Sequence, residues 1–182
     1  KPDPGPAGAI AGHDGGAQLL GLLAVSPALA ADRKPDATIN TKAVEANVTL
    51  DAPIKADGPL AAYCLAEGKK WIDRNAADAA KERKADPQLF RDRKWSFERR
   101  YSLRSVVADR YVSVVRDDYM DTGGAHPNSD VNTILWDKSA AKPISIRPFF
   151  TETADNGATM KAMLAAVITS LKAEKTKRDA GE

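Results

Sequence analysis

Residues 111–150, YVSVVRDDYMDTGGAHPNSDVNTILWDKSAAKPISIRPFF, hold three strand-like runs separated by two polar turns. In the first run Val112 and Val114 share one parity and Tyr111, Ser113 and Val115 the other. Both faces are largely apolar, as in a central strand covered on both sides. Thr122-Gly123-Gly124 breaks the run, because paired glycines admit positive φ and a tight reversal. Residues 131–136 form a second β-rich run, 137–142 a polar turn, and Pro143-Ile144-Ser145-Ile146 a third strand. Pro143 has no N–H for a ladder, so it belongs at the first residue of that strand or on an edge. The segment predicts a β-meander.

The cleanest alternation in the chain lies just upstream, over 95–107. Trp95, Phe97, Tyr101, Leu103 and Val107 share one parity; Ser96, Glu98, Arg100, Ser102 and Arg104 take the other. This is a half-buried strand, with Arg99 the only charge on its apolar face. Ala108-Asp109-Arg110 then predicts a short turn and a hairpin into residue 111.

Helical spacing flanks the strands. From Gly58, the residues Leu60, Tyr63, Cys64, Trp71 and Ile72 recur near a 3.6-residue period, with alanines filling the rest up to Ala80. Asp57 is placed to cap that helix, and Pro87 to stop it after a charged end at 81–86. Gly68 costs about 1 kcal/mol against Ala and marks a candidate break. Near the end of the chain Met160, Met163, Leu164, Val167, Ile168 and Leu171 fall at i, i+3, i+4, i+7, i+8 and i+11, an amphipathic helix with a charged tail. Residues 46–50 hold one further short strand. The fold class is therefore α+β: an antiparallel β-meander packed with an N-terminal helix and a C-terminal amphipathic helix.

The 182 residues suffice for one domain with its own core. A net charge of +2 is too small to imply a nucleic-acid partner by itself. Cys64 stands alone, so no intrachain disulfide can form. Residues 1–16 are rich in Gly, Pro and Ala and read as unstructured. Residues 17–25 are a short apolar run, too short to span a bilayer as a helix. With the Pro27 break and the Ala28-Leu29-Ala30 pattern it fits a signal-peptide h-region, although a basic n-region is missing; a short buried helix or an unstructured lead is the alternative. The expected division is 1–30 as lead and signal peptide and 31–182 as the mature, exported domain, periplasmic or extracellular, with no membrane span.

Candidate chemistry is sparse. His126 is the only histidine of that mature domain, close in sequence to Asp117, Asp118, Asp121 and Asp130. A histidine near carboxylates can act as general base, metal ligand or pH switch. Zinc wants three or four ligands, and no second His or ligating Cys is at hand. The plainer reading is a turn histidine whose ring bonds to backbone. Asp117 and Asp118 are adjacent in a strand and point to opposite faces, so they are not an obvious catalytic pair. Residues 81–110 carry ten Lys/Arg against five Asp/Glu, with Trp95, Phe97 and Tyr101 interleaved. Their parity puts the aromatics on the core face and Arg100 and Arg104 on the solvent face, which argues against a nucleic-acid surface. Cys64 on an alanine-rich helix reads as core packing. No phosphate-binding glycine loop, G-x-S-x-G elbow or H-E-x-x-H occurs, and the motifs imply no cofactor.

The order of signals carries a resemblance. An apolar strand leads to T-G-G-A-H-P at 122–127, then W-D-x-x-x-x-K-P-I-S-I-x-P-F-F at 136–150, then an amphipathic helix. This resembles the extracytoplasmic domain shared by the lysozyme-sensing anti-sigma factor RsiV and the non-catalytic N-terminal region of the peptidoglycan deacetylase PdaC. Element order matches over residues 37–171, and the specific motifs over 118–150. Ser139-Ala140-Ala141 stands where the family usually has a tighter Gly turn. The resemblance implies an exported α+β domain without an established catalytic centre, and a chain truncated at its C-terminal end, since family members continue into further strands. It also implies a binding or sensing module for peptidoglycan or a lysozyme-like protein. The loop residues Gly123, Gly124, His126 and Asn128 are the expected contacts. The alternative is a small cell-wall hydrolase or deacetylase using His126 with Asp118 or Asp121.

Overall fold

Six strands form one sheet in chain order: β1 (Ala37–Asn40), β2 (Val44–Leu50), β3 (Trp95–Val107), β4 (Tyr111–Asp121), β5 (Asn128–Asp137) and β6 (Lys142–Ile144). The computed structural model describes residues 34–178. The proposed h-region at 17–25 and the Ala28-Leu29-Ala30 pattern lie outside the described residues. The architecture is α+β, as the periodicities predict. Neighbouring strands are antiparallel except β2 and β3, which run parallel from Val44 opposite Trp95 to Leu50 opposite Tyr101. A parallel pair needs a long crossover. Here it is made by the short helix α1 (Ala52–Lys55), the 28-residue α2 (Gly58–Ala85) and a 3₁₀ turn at Pro87–Phe90.

Helix α2 lies on one face of the sheet, and the core is the layer between them. Val44, Ala46, Val48 and Leu50 alternate inward along β2, fully buried. They meet Leu60, Cys64, Trp71, Ile72 and Ala79 of α2. Asp57 caps this helix, its carboxylate accepting the Leu60 N–H at 3.1 Å. Gly68 does not break it. A Cβ at that position would stand 2.7 Å from Val48 Cγ1, so the missing side chain is what lets helix and strand approach. The edge at Trp71 is closed by aromatics, with Phe97 meeting Trp71 edge-on at 5.8 Å.

The alternation expected along 95–107 holds only as far as Leu103. A bulge between Leu103 and Ser105 shifts the register, so Val106 sits opposite Val112 and Val107 opposite Tyr111. Val107 thus leaves the core parity and is exposed, because one extra residue reverses every later side chain. The three-residue β3–β4 turn, 108–110, places Ala108 (φ 51°) and Asp109 (φ 49°) in the left-handed region, and the Arg110 N–H closes it on the Val107 carbonyl at 3.1 Å. In the β4–β5 loop Gly123 takes φ 83°, and Asp121 Oδ1 accepts its N–H at 2.8 Å. Pro143 lies in β6, the edge strand, where a missing donor costs least.

The face of the sheet away from α2 is only partly covered. A 3₁₀ turn at Arg147–Phe149 puts Phe149 edge-on to Tyr111 at 4.8 Å. The C-terminal helix α3 (Ala158–Lys177) forms where the spacing predicts it, and none of its residues is buried; Leu164, Val167, Ile168 and Leu171 stay exposed.

Candidate ligand-binding cleft

The charge that interrupts the apolar face of β3 organises the site. Arg99 follows Phe97 and precedes Tyr101 on the core parity, so its guanidinium points under α2 and is 4% exposed. The register sets Asp118 of β4 directly opposite. Arg99 Nε donates to Asp118 Oδ1 and Nη2 to Oδ2, each at 2.6 Å, a bidentate fork. Its third nitrogen, Nη1, donates to Glu67 Oε1 of α2 at 3.2 Å. Trp71, one helical turn after Glu67, lies with its ring 4.3 Å from the Arg99 guanidinium carbon.

Two more side chains close the network. The Tyr101 hydroxyl donates to Glu67 Oε2. Arg116, which shares the inward parity of β4 with Val112, Val114 and Asp118, donates from Nη1 to Glu67 Oε1 at 2.9 Å. Its Nε lies 3.3 Å from Asp118 Oδ2 but donates no hydrogen bond among the described residues. Burial alone would work against the Arg99 charge. The hydrogen bonds to Asp118 and the fields of Tyr101, Asp118 and Glu67 outweigh it and hold the guanidinium above its ordinary pKa. Burial, reinforced by Glu67, keeps the Tyr101 hydroxyl protonated far above its usual range. The same two causes push the nearby Cys64 thiol up to about 12, so this buried cysteine is an inert packing group.

Glu67, Trp71, Arg99, Arg116 and Asp118 form the floor of a cleft of about 460 Å³ between α2, β3, β4 and β5. That size suits a small ligand or one arm of a larger one. Lys70 and Arg74 of α2 stand exposed along its rim, and Met120 and Asp130 line the end nearest the β4–β5 loop.

The residues singled out from the sequence fall in three places. Asp118 is in the cleft floor, 5% exposed, with both oxygens held by Arg99. Asp121 caps the following loop through Gly123 N–H. His126 is exposed in that loop, its Nδ1 donating to the Pro127 carbonyl at 3.1 Å. The structure therefore does not bring His126 together with Asp118 or Asp121. Gly123 and Gly124 shape the loop, which the Arg93 guanidinium fastens by donating to the Gly123 carbonyl. Asn128 opens β5 opposite Met120, so the loop is a lip at the end of the cleft. Asp117 points the other way and is exposed.

Glu67, Lys70, Arg74 and Arg116 were not among the candidates. Arg116 carried a readable signal, since it interrupts an apolar parity just as Arg99 does. Glu67, Lys70 and Arg74 share a helical face with Trp71, which is visible only once that face is known to reach the sheet. Among the described residues no group of three or more His, Cys, Asp or Glu could hold a metal ion, and no helix is long and apolar enough to cross a membrane. No protein-family model matches the chain, and no curated protein matches it.

Proposed function

We propose that this domain is a non-catalytic binding module of the cell envelope whose ligand is peptidoglycan. One observation carries the reading: the acids of the cleft floor are consumed by internal ion pairs, while cations stand at its rim. This network holds its groups rigidly and engages both floor carboxylates, Glu67 and Asp118, with arginines. His126 stands exposed in the lip with its Nδ1 on the Pro127 carbonyl, and among the described residues no carboxylate bonds to its ring. Peptidoglycan carries free carboxylates on its peptide arms, which suits a cation-lined cleft. Exported placement comes from the signal-peptide pattern before residue 31 and from the resemblance, the envelope ligand from the resemblance at 118–150, and both stand with this proposal.

Co-sedimentation of the full chain with purified sacculi tests it, with a lysozyme-like protein titrated into a parallel sample. Pelleting with sacculi is the expected result. A folded protein that stays in the supernatant with sacculi, or that binds only the lysozyme-like protein, would overturn the peptidoglycan reading. His126→Ala weakens binding modestly at most if the residue only shapes the lip.

A further inference from the structure

We infer that the cleft is a receptor for a single carboxylate, held by Arg116 from the floor and by Lys70 and Arg74 from the rim. This rests on the binding reading above and names the chemistry it reads. Arg99 is not the contact: its Nε, Nη2 and Nη1 are all engaged by Asp118 and Glu67, and one face lies against Trp71. It is a positioning residue that sets the floor. Arg116 is different. Nη1 donates to Glu67, and the buried Nε is ion-paired with Asp118 Oδ2 at 3.3 Å, so Nη2 is the nitrogen left unspent among the described residues. Nη2 can donate to one oxygen of a carboxylate, a charge-assisted hydrogen bond.

The rim supplies the rest. Lys70 and Arg74 lie four residues apart on α2, one turn, on the side that lines the cleft, and neither makes an ion pair among the described residues. Asp130, which lines the cleft at its lip end, accepts from Asn132 Nδ2 at 2.6 Å. Counting the lining charges decides the ligand's valence. Lys70, Arg74, Arg99 and Arg116 give four positives against three negatives from Glu67, Asp118 and Asp130, an excess of one. A monoanion balances that excess. A phosphate dianion would overshoot it and face two floor carboxylates at close range.

The test uses the full chain and three probes: an N-acetylated dipeptide with a free C-terminal carboxylate, the same dipeptide as its C-terminal amide, and inorganic phosphate. Binding is read by two-dimensional NMR and by tryptophan fluorescence. The free acid should perturb signals of residues 70, 74 and 116, with its affinity falling as salt is raised, while the amide leaves them unmoved. Lys70→Gln with Arg74→Gln, both exposed and safe for the fold, should weaken the free acid about fivefold. Arg116→Lys keeps the charge but loses the Nη2 donor and should weaken it further. Equal response to acid and amide, tighter binding of phosphate, or no effect of the double variant would overturn the carboxylate site. Sacculi that pellet the double variant as well as the parent chain would leave the envelope reading standing and remove this one. Dipeptide binding without sacculus binding would do the reverse.

Discussion

Arg99 and Asp118 face each other across β3 and β4 and share two hydrogen bonds of 2.6 Å, with both side chains buried beneath α2. Such a pair contributes little net stability when intact, since desolvation offsets attraction, but losing one partner strands the other. Asp118→Ala should therefore destabilise the domain by about 3–5 kcal/mol, read as a lower urea midpoint. Arg99→Met with Asp118→Leu should cost far less than either single change. A double variant as damaged as the single one would show that the pair is not the source.

Gly68 faces Val48 so closely that an added Cβ would stand 2.7 Å from Val48 Cγ1 and 3.1 Å from Cγ2. Helix propensity favours Gly68→Ala by about 1 kcal/mol, and overpacking opposes it by roughly 1–3 kcal/mol. Because valine is stiff, the clash should win by about 1 kcal/mol. In a Val48→Ala background the sign should reverse, and a thermal-unfolding double-mutant cycle reads that coupling.

Asp137 accepts two hydrogen bonds from Arg110, at 3.0 and 2.7 Å, and others from the Ser139 and Ala140 N–H groups. The Arg110 bonds chiefly, opposed by desolvation and aided by the two backbone N–H groups, hold its pKa at about 2 against an ordinary 3.8. The folded state then binds fewer protons than the unfolded state between those values. The contribution is fully present above about pH 4 and is lost as pH falls through 2. Asp137→Asn should flatten the stability profile in that window alone; an unchanged acid limb would sink the assignment.

Helix α3 leaves Leu164, Val167, Ile168 and Leu171 exposed. Leu164→Gln or Leu171→Gln should shift stability by no more than about 0.5 kcal/mol. Leu60→Ala in α2, by contrast, should cost about 2–5 kcal/mol. Amide hydrogen exchange should run faster along α3 than along α2. Protection of α3 equal to that of α2 would contradict this.

Much of the fold was legible because periodicity is local. The alternation of 95–107 and 111–115, the helical spacing from Leu60 to Ile72 and that from Met160 to Leu171 each appear as elements. Strand β1 and helix α1 were not legible: four residues are too few to show a period. The continuity of α2 through Gly68 was not legible either, since the reason for that glycine is Val48 on another element. Of the site, Arg99 was visible as a charge on an apolar parity. Asp118 was singled out, but for a pairing with His126; Glu67 was not, because it lies 32 residues from Arg99 and 49 from Arg116.

By itself, then, the amino-acid order determined which segments are strands and helices and which face of each is apolar, because backbone geometry imposes a period on any chain. Tertiary structure alone decided which charges meet. The parallel pairing of β2 with β3 carries α2 over the sheet, and the β3–β4 register sets Asp118 opposite Arg99. Only then do Glu67, Arg99, Arg116 and Asp118 become one network. A one-residue slip in that register would turn the same sequence's Asp118 to the opposite face and leave Arg99 without its fork.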